Sequence, residues 1–335
     1  MTLELPVLRL GLAGFSAEQQ DAVRAVVGGV VAFGASWEVS SFADADAWWI
    51  SGQRTQLLPD GTLRVGPGTP SGRSLQLNLA DVDRPVAFAR PLPGAGFSPA
   101  YAFDQADRTQ QKAVLERFAG WLQPLISQFA LASVVIDQYA ALGGGSFQVL
   151  FNGRLIAVVN MRGDVGVLPS AALLDFQDAL WRRVSEPAEV PTGFVRTSLS
   201  QLMWQFAMRT RRDMLPPRYR TASLYFRRPP RLAHRLLKDS HLLLMRELAS
   251  APATLRELAK RTGMDETLAA HGLAALYLVG TITSNPKRAA ARRDDDSLLS
   301  RPNPNSGEQM RVGTSLPRRP IAGADMTAPV PLNPY

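Results

Sequence analysis

The sequence predicts a multidomain chain of mixed α/β and α+β class, and three observations carry that reading. Over residues 1–98, short apolar runs alternate with helical stretches, which is the pattern of an open α/β sheet. Between 104 and 230, the turn signals Asn152-Gly153 and Arg162-Gly163-Asp164 separate apolar runs, as an α+β domain with a β-meander requires. From 231 to 286, helices with recognisable caps follow one another at short spacing. Residues 287–335 are rich in Pro, Ser, Asn and Arg and lack periodicity, so a disordered basic tail is expected there.

Taken in order, VLRLGLAGF (7–15) reads as a buried strand, and SAEQQDAVRAVVGG (16–29) as a helix capped by Ser16. WEVSSF, DAWWISG, SLQLNL and PVAFARPL are further apolar runs bounded by turn residues, and the Gly/Pro-rich GAGFSP (94–99) closes the region. The stretch 106–140 is helical in period, with Pro124 placed to kink or split it. The meander spans 147–169. Helices are expected over SAALLDFQDALWRRV (170–184) and SLSQLMWQFAMRTRRD (198–213), then a short strand in TASLYFRR (221–228). HLLLMRELAS supplies a helix, and Thr254 with Glu257 forms a capping box for the next. Gly263 suits the left-handed end of that helix, and Asp265 caps a third.

Composition excludes several chemistries. The 335 residues include no cysteine, so disulfides, thiolate metal sites and cysteine nucleophiles are out. Only His234, His241 and His271 are available, no nucleophile elbow appears, and carboxylates do not cluster in a foldable segment. The reading is therefore no enzyme, no metal and no cofactor. GPGTPSGRS (66–74) superficially looks like a phosphate loop. Its glycines are misspaced, Arg73 replaces the lysine, and Pro67 and Pro70 remove backbone donors, so it reads as a surface loop. The N-terminal stretch has an acid and a proline where a signal peptide would be basic and then apolar, and no run is long enough to span a bilayer. A cytoplasmic protein without membrane insertion is the expectation.

Charge is concentrated. The chain carries a net +8, whereas residues 209–238 alone hold ten Lys/Arg and one acid. Arginine outnumbers lysine nine to one there, which favours bidentate contacts to phosphate or carboxylate. The anion or nucleic-acid candidates are Arg209, Arg211, Arg212, Arg218, Arg220, Arg227, Arg228 and Arg231, with Lys260, Arg261, Lys287 and Arg288 nearby. A solvated linker paired to the slightly acidic front region is the plain alternative.

Two family resemblances follow. Asp44-Ala45-Asp46-Ala47-Trp48-Trp49-Ile50 and Arg90-Pro91 resemble the third-strand entry and fifth-strand exit of bacterial response-regulator receiver domains. Gly14-Phe15 and Ser51 stand where that family keeps its acidic pair and phosphoacceptor, so the resemblance implies a pseudo-receiver without phosphotransfer. Residues 231–286 resemble bacterial winged helix-turn-helix domains, with GTITSNPKR (280–288) as strand and wing. The outward face expected for its third helix carries Ala270, His271, Ala274, Tyr277 and Leu278. It has no Lys or Arg, which suits a protein interface better than base readout. The function expected is a non-catalytic regulator or adaptor that binds protein partners and carries an arginine-rich anion-binding segment. The alternatives are a DNA-binding transcription regulator, through phosphate backbone contacts, and a switch for a phosphorylated small effector such as a cyclic dinucleotide.

Overall fold

A computed structural model describes residues 4–70, 72–94 and 97–290. The tail expected from 287 onward lies almost wholly outside the described residues.

The front of the chain builds a six-stranded mixed sheet, which makes the mixed α/β class plain. Its strands are β1 (Val7–Ala13), β2 (Val31–Ala32), β3 (Ala35–Ser40), β4 (Ala47–Ser51), then β8 (Val86–Ala89) and β9 (Ala102–Phe103), lying in the order β2-β3-β1-β4-β8-β9. All pairings are parallel except β2 with β3. Helix α1 (Ala17–Val27) makes the first crossover, held by a Ser16–Gln19 capping box. Between β4 and β8 the chain forms a three-stranded antiparallel sheet from β5 (Thr55–Leu57), β6 (Leu63–Val65) and β7 (Leu75–Leu77). Ile50 and Phe88 of the large sheet pack against Leu63 and Val65 of the small one.

Helices α2 (Arg108–Trp121) and α3 (Gln123–Asp137) follow, bent by 64° where Pro124 opens the second. Proline at a first turn costs no helical hydrogen bond, so the break falls just before it. Val114, Leu115, Phe118 and Ile126 complete the front core, so that core runs past the compositional break at 94–99. The rest of α3, from Phe129, belongs to a second core. Among the described residues no single helix is long and apolar enough to cross a membrane.

That second core rests on a five-stranded antiparallel sheet. After α4 (Tyr139–Leu142) come β10 (Ser146–Phe151), β11 (Arg154–Asn160), β12 (Asp164–Val167), β13 (Leu180–Val184) and β14 (Val195–Ser198), in the order β13-β10-β11-β12-β14. Asn152 and Gly153 turn β10 into β11 with positive φ at both residues. The helix expected over 170–184 is absent: a short 3-10 turn at Leu174–Phe176 leads into β13, an edge strand on β10. In that pairing Trp181 lies opposite Val149, and its ring also meets Phe147 diagonally at 6.0 Å, a cross-strand contact that favours the strand.

Helix α5 (Leu199–Arg209) packs on α3 through Phe206, stacked 4.8 Å from Phe129. Its other face, Trp204, Ala207 and Met208, enters a third core. That core holds α7 (Asp239–Ser250), α8 (Leu255–Thr262) and α9 (Glu266–Leu278), reached through the short helix α6 (Pro217–Thr221). The caps are those expected: the Thr254–Glu257 box, Gly263 at φ 68° and Asp265 on α9. Among the described residues no wing hairpin follows. Strand β16 (Ile282–Thr283) pairs instead with β15 (Tyr225–Phe226), upstream of α7, and residues 286–288 form a 3-10 turn. The described residues fall within one compact unit, Met1–Ala291, with α3 and α5 each shared between two cores.

Candidate functional site: an arginine-lined cleft

In open parallel sheets, ligands sit beyond the carboxyl ends of the strands where strand order reverses. Here that place lies between the ends of β1 and β4, and the chain fills it. A Cβ on Gly14, which has φ +77°, would stand 3.2 Å from Cβ of Ser51, so the two residues adjoin. The 66–68 turn closes over them: Gly66 N–H donates to the Arg54 carbonyl, and any Cβ on Gly68 would collide with the Phe15 backbone. The loop resembling a phosphate binder thus serves as a lid on the sheet edge.

The arginines of 209–238 divide into two groups. Arg209 is spent on Asp46 at 2.6 Å, with both side chains largely buried. Arg212 reaches Glu4 and Asp137, each at 2.7 Å, donates to Ser133 Oγ, and lies over the Phe206 ring. Arg220 pairs with Asp213, and the Arg211 backbone N–H donates to Glu4. Arg209, Arg212 and Arg220 are therefore ion-paired within the fold, and Arg209 and Arg212 knit the connector to the front sheet and α3. Arg218, Lys260, Arg261 and Lys287 are exposed and scattered over α6, α8 and the terminal turn.

The third helix does not face outward. Ala270 and Ala274 are buried, and His271, Tyr277 and Leu278 are half-buried, because α5 of the same chain packs along this face. Small residues permit it: a Cβ at Gly272 would sit 2.8 Å from Leu244 of α7, on the opposite side. The predicted partner interface is therefore an internal one.

Arg227, Arg228, Arg231 and Arg288 do converge, with Arg162, around a cleft of about 920 Å³. One wall comes from Ile136 and Tyr139, the Met161–Asp164 turn between β11 and β12, and the first turn of α5. The other comes from the Arg227–Arg231 connector, Tyr277 to Gly280 at the end of α9, and Arg288. Strand pairing of β15 with β16 and the hydrogen bond from Arg227 N–H to the Thr281 carbonyl, 2.8 Å, carry the first two arginines to Gly280. Gly280 has φ +70°, a conformation that glycine adopts without strain. The point its Cβ would occupy lies 3.3 Å from Nη2 of Arg228 and 3.7 Å from Nη1 of Arg227. Arg162, on the β11–β12 turn, also lines the cleft, and its guanidinium lies against Gly144, where a Cβ would stand 2.9 Å from both Nε and Nη2.

Among the described residues, none of these five arginines has a carboxylate partner. Among the described residues the one acid lining the cleft is Asp164, which pairs with Arg196 at 2.9 Å. Like charges a few ångströms apart repel by about 1 kcal/mol in water and several times more near a low-dielectric wall. The positive end of the α5 dipole adds to the same field, since Ser198, Leu199 and Ser200 line the cleft. A bound anion relieves that repulsion.

No family model, curated protein or solved structure matches this chain. Function must be argued from the cleft itself. Arg162 and Tyr139 were not among the residues singled out from sequence. Arg162 was visible only as part of a turn signal, and nothing local announces that this turn faces Gly280.

Proposed function

We propose that this chain is a non-catalytic regulatory protein that binds a phosphate-bearing anion in the cleft between the central sheet and the C-terminal helices. One observation carries the reading: among the described residues, five arginines without a carboxylate partner line a single concavity whose one acid, Asp164, is paired with Arg196. Arginine's planar fork matches phosphate oxygens two at a time, and this is the use for which it surpasses lysine. On this reading the front sheet is a pseudo-receiver. Its parallel strands, counted among themselves, run 2-1-3-4-5, and Gly14 and Ser51 occupy the ends where phosphotransfer would need acids. The C-terminal helices are a winged-helix relative whose third helix is turned inward. Protein partners are then read by the ligand-bound state of the whole unit rather than by α9.

Titration calorimetry of the full chain with pyrophosphate tests this. Binding is expected at 50 mM salt, weakened at 200 mM, and reduced at least tenfold by Arg227→Ala with Arg228→Ala. Failure of pyrophosphate and every phosphate-bearing small molecule to bind at 50 mM salt overturns the reading. Tight salt-dependent binding of random duplex DNA, lost on replacing Lys260 and Arg261 but not Arg227 and Arg228, would favour a DNA-binding regulator instead.

A further inference from the structure

The cleft is larger and less polar than an inorganic anion requires. At about 920 Å³ it stands near the top of the range for small-molecule sites, roughly 300–1,000 Å³. Phosphate groups account for the arginines but not for Ile136, Met161, Met203 and Met214, apolar side chains on the same surface. A ligand made only of anionic groups would set its charge against them. One with an apolar or aromatic body covers them while its phosphates meet the guanidinium groups.

Tyr139 supplies the second indication. It sits on the wall beside the end of α3, yet its side chain is 57% exposed, although the neighbouring cleft tyrosine, Tyr277, is packed edge-on to Tyr219 at 4.8 Å. Tyr139 is close enough to Tyr277 to help raise that hydroxyl's pKa, after burial and Tyr219. An open aromatic face next to convergent arginines matches what nucleotides use: a ring to stack a base and fixed cations for the phosphates. The positive groups also reach the cleft from separate segments, Arg162 from the β11–β12 turn, Arg227, Arg228 and Arg231 from the connector, and Arg288 from the terminal turn, which is more charge than a single phosphate would compensate.

We infer that the ligand is a nucleotide carrying at least two phosphate groups, its base stacked on Tyr139 and its phosphates held between Arg162, Arg227 and Arg228. The inference rests on the anion-cleft reading and adds the base. Its ring occupies the apolar side toward Met203 and Ile136, and its phosphates bridge the two walls.

The test uses the full chain and calorimetry with ADP, GDP, CDP, UDP, two cyclic dinucleotides, pyrophosphate and the parent nucleosides. At least one nucleotide is expected to bind about tenfold more tightly than pyrophosphate, and its nucleoside at least a hundredfold more weakly. Tyr139→Ala should cost that nucleotide about tenfold while leaving pyrophosphate affinity unchanged, and Tyr139→Phe, which keeps the ring, should restore it. A thermal melt checks that these exposed-site variants fold as wild type. If pyrophosphate binds as tightly as every nucleotide, or if Tyr139→Ala weakens both equally, the nucleotide inference is overturned and the anion cleft stands. If pyrophosphate and all nucleotides fail to bind, both fall together.

Discussion

Arg212 and Arg228 carry the same side chain in opposite circumstances. Arg212 pairs with Glu4 and Asp137, and its loss removes the ionic partner of two partly buried carboxylates and the donor to Ser133, leaving Glu4 only the Thr210 hydroxyl and the Arg211 N–H. Arg212→Ala should therefore lower unfolding free energy by about 2–3 kcal/mol, between the figures for exposed and buried pairs, as read by urea denaturation. Arg228→Ala removes a charge that, among the described residues, has no carboxylate partner and lies beside Arg227 at Gly280, so stability should hold or rise slightly while anion binding weakens. Sequence could locate the charge excess but not sort it. Arg212 meets Glu4 across 208 positions and Asp137 across 75, and no local pattern encodes such pairings. His241 gives a second residue-level test. Burial, then the charge of Lys238 and the neighbouring His271, push its pKa down from 6.5 to about 4, with Asp44 opposing weakly. Its Nδ1 accepts from the Lys238 N–H, and its ring stands edge-on to Trp204 at 4.7 Å. Above pH 6.5 both folded and unfolded chains keep it neutral and nothing is lost. Between 6.5 and 4 the unfolded chain takes up a proton that the folded chain refuses, so stability falls with pH, by up to about 3 kcal/mol. Replacing His241 with Phe, which keeps the edge-on ring, should flatten that part of the denaturation profile.

Helix α9 shows where local rules suffice and where they stop. Its start was readable because capping is short-range chemistry: Asp265 accepts from the N–H groups of Thr267 and Leu268, two and three positions on. Its buried faces were not readable. ETLAAHGLAALYL is apolar almost all round, and such a helix is enclosed rather than amphipathic. Treating one face as solvent required knowing that α5, some seventy positions upstream, was elsewhere. The strand at 180–184 is illegible for a related reason, since its spacing of apolar residues also fits a helix and only its pairing with β10, some thirty positions upstream, separates the two. The enclosure of α9 is testable. Ala274→Arg would be harmless on a free recognition helix, but here it drives an unpaired cation between α9 and α5. We expect a loss of more than about 3 kcal/mol, or failure to fold, measured by thermal melting. Leu268→Arg, on the exposed first turn of the same helix, should cost less than about 0.5 kcal/mol and serves as the matched control.

At the scale of the whole molecule, compositional breaks and mechanical units do not coincide. The front core takes side chains from both sides of the Gly/Pro-rich break at 94–99, from β1 to β8 before it and from β9, α2 and α3 after it, and α5 gives one face to the central core and the other to the C-terminal core. Composition marks where the chain turns, whereas shared helices determine what moves together. The cleft lies where two of these cores meet: Arg162 is fixed by the central sheet, and Arg227 and Arg228 by the ribbon that β15 forms with β16. An anion spanning them ties the central sheet to the C-terminal helices in the folded state and has no comparable site in the unfolded chain. Linkage then requires stabilisation by about 2.7 kcal/mol when free ligand stands at one hundred times its dissociation constant. Pyrophosphate should accordingly raise the melting temperature of the wild-type chain, and the rise should shrink between 50 and 200 mM salt as screening weakens the contacts. Because α5 carries the coupling, the shift should appear equally in the fluorescence of buried Trp204 and in far-ultraviolet circular dichroism. The Arg227→Ala, Arg228→Ala double variant should need at least ten times more pyrophosphate to reach the same shift. A shift of equal size in that variant would mean that the anion acts elsewhere on the surface.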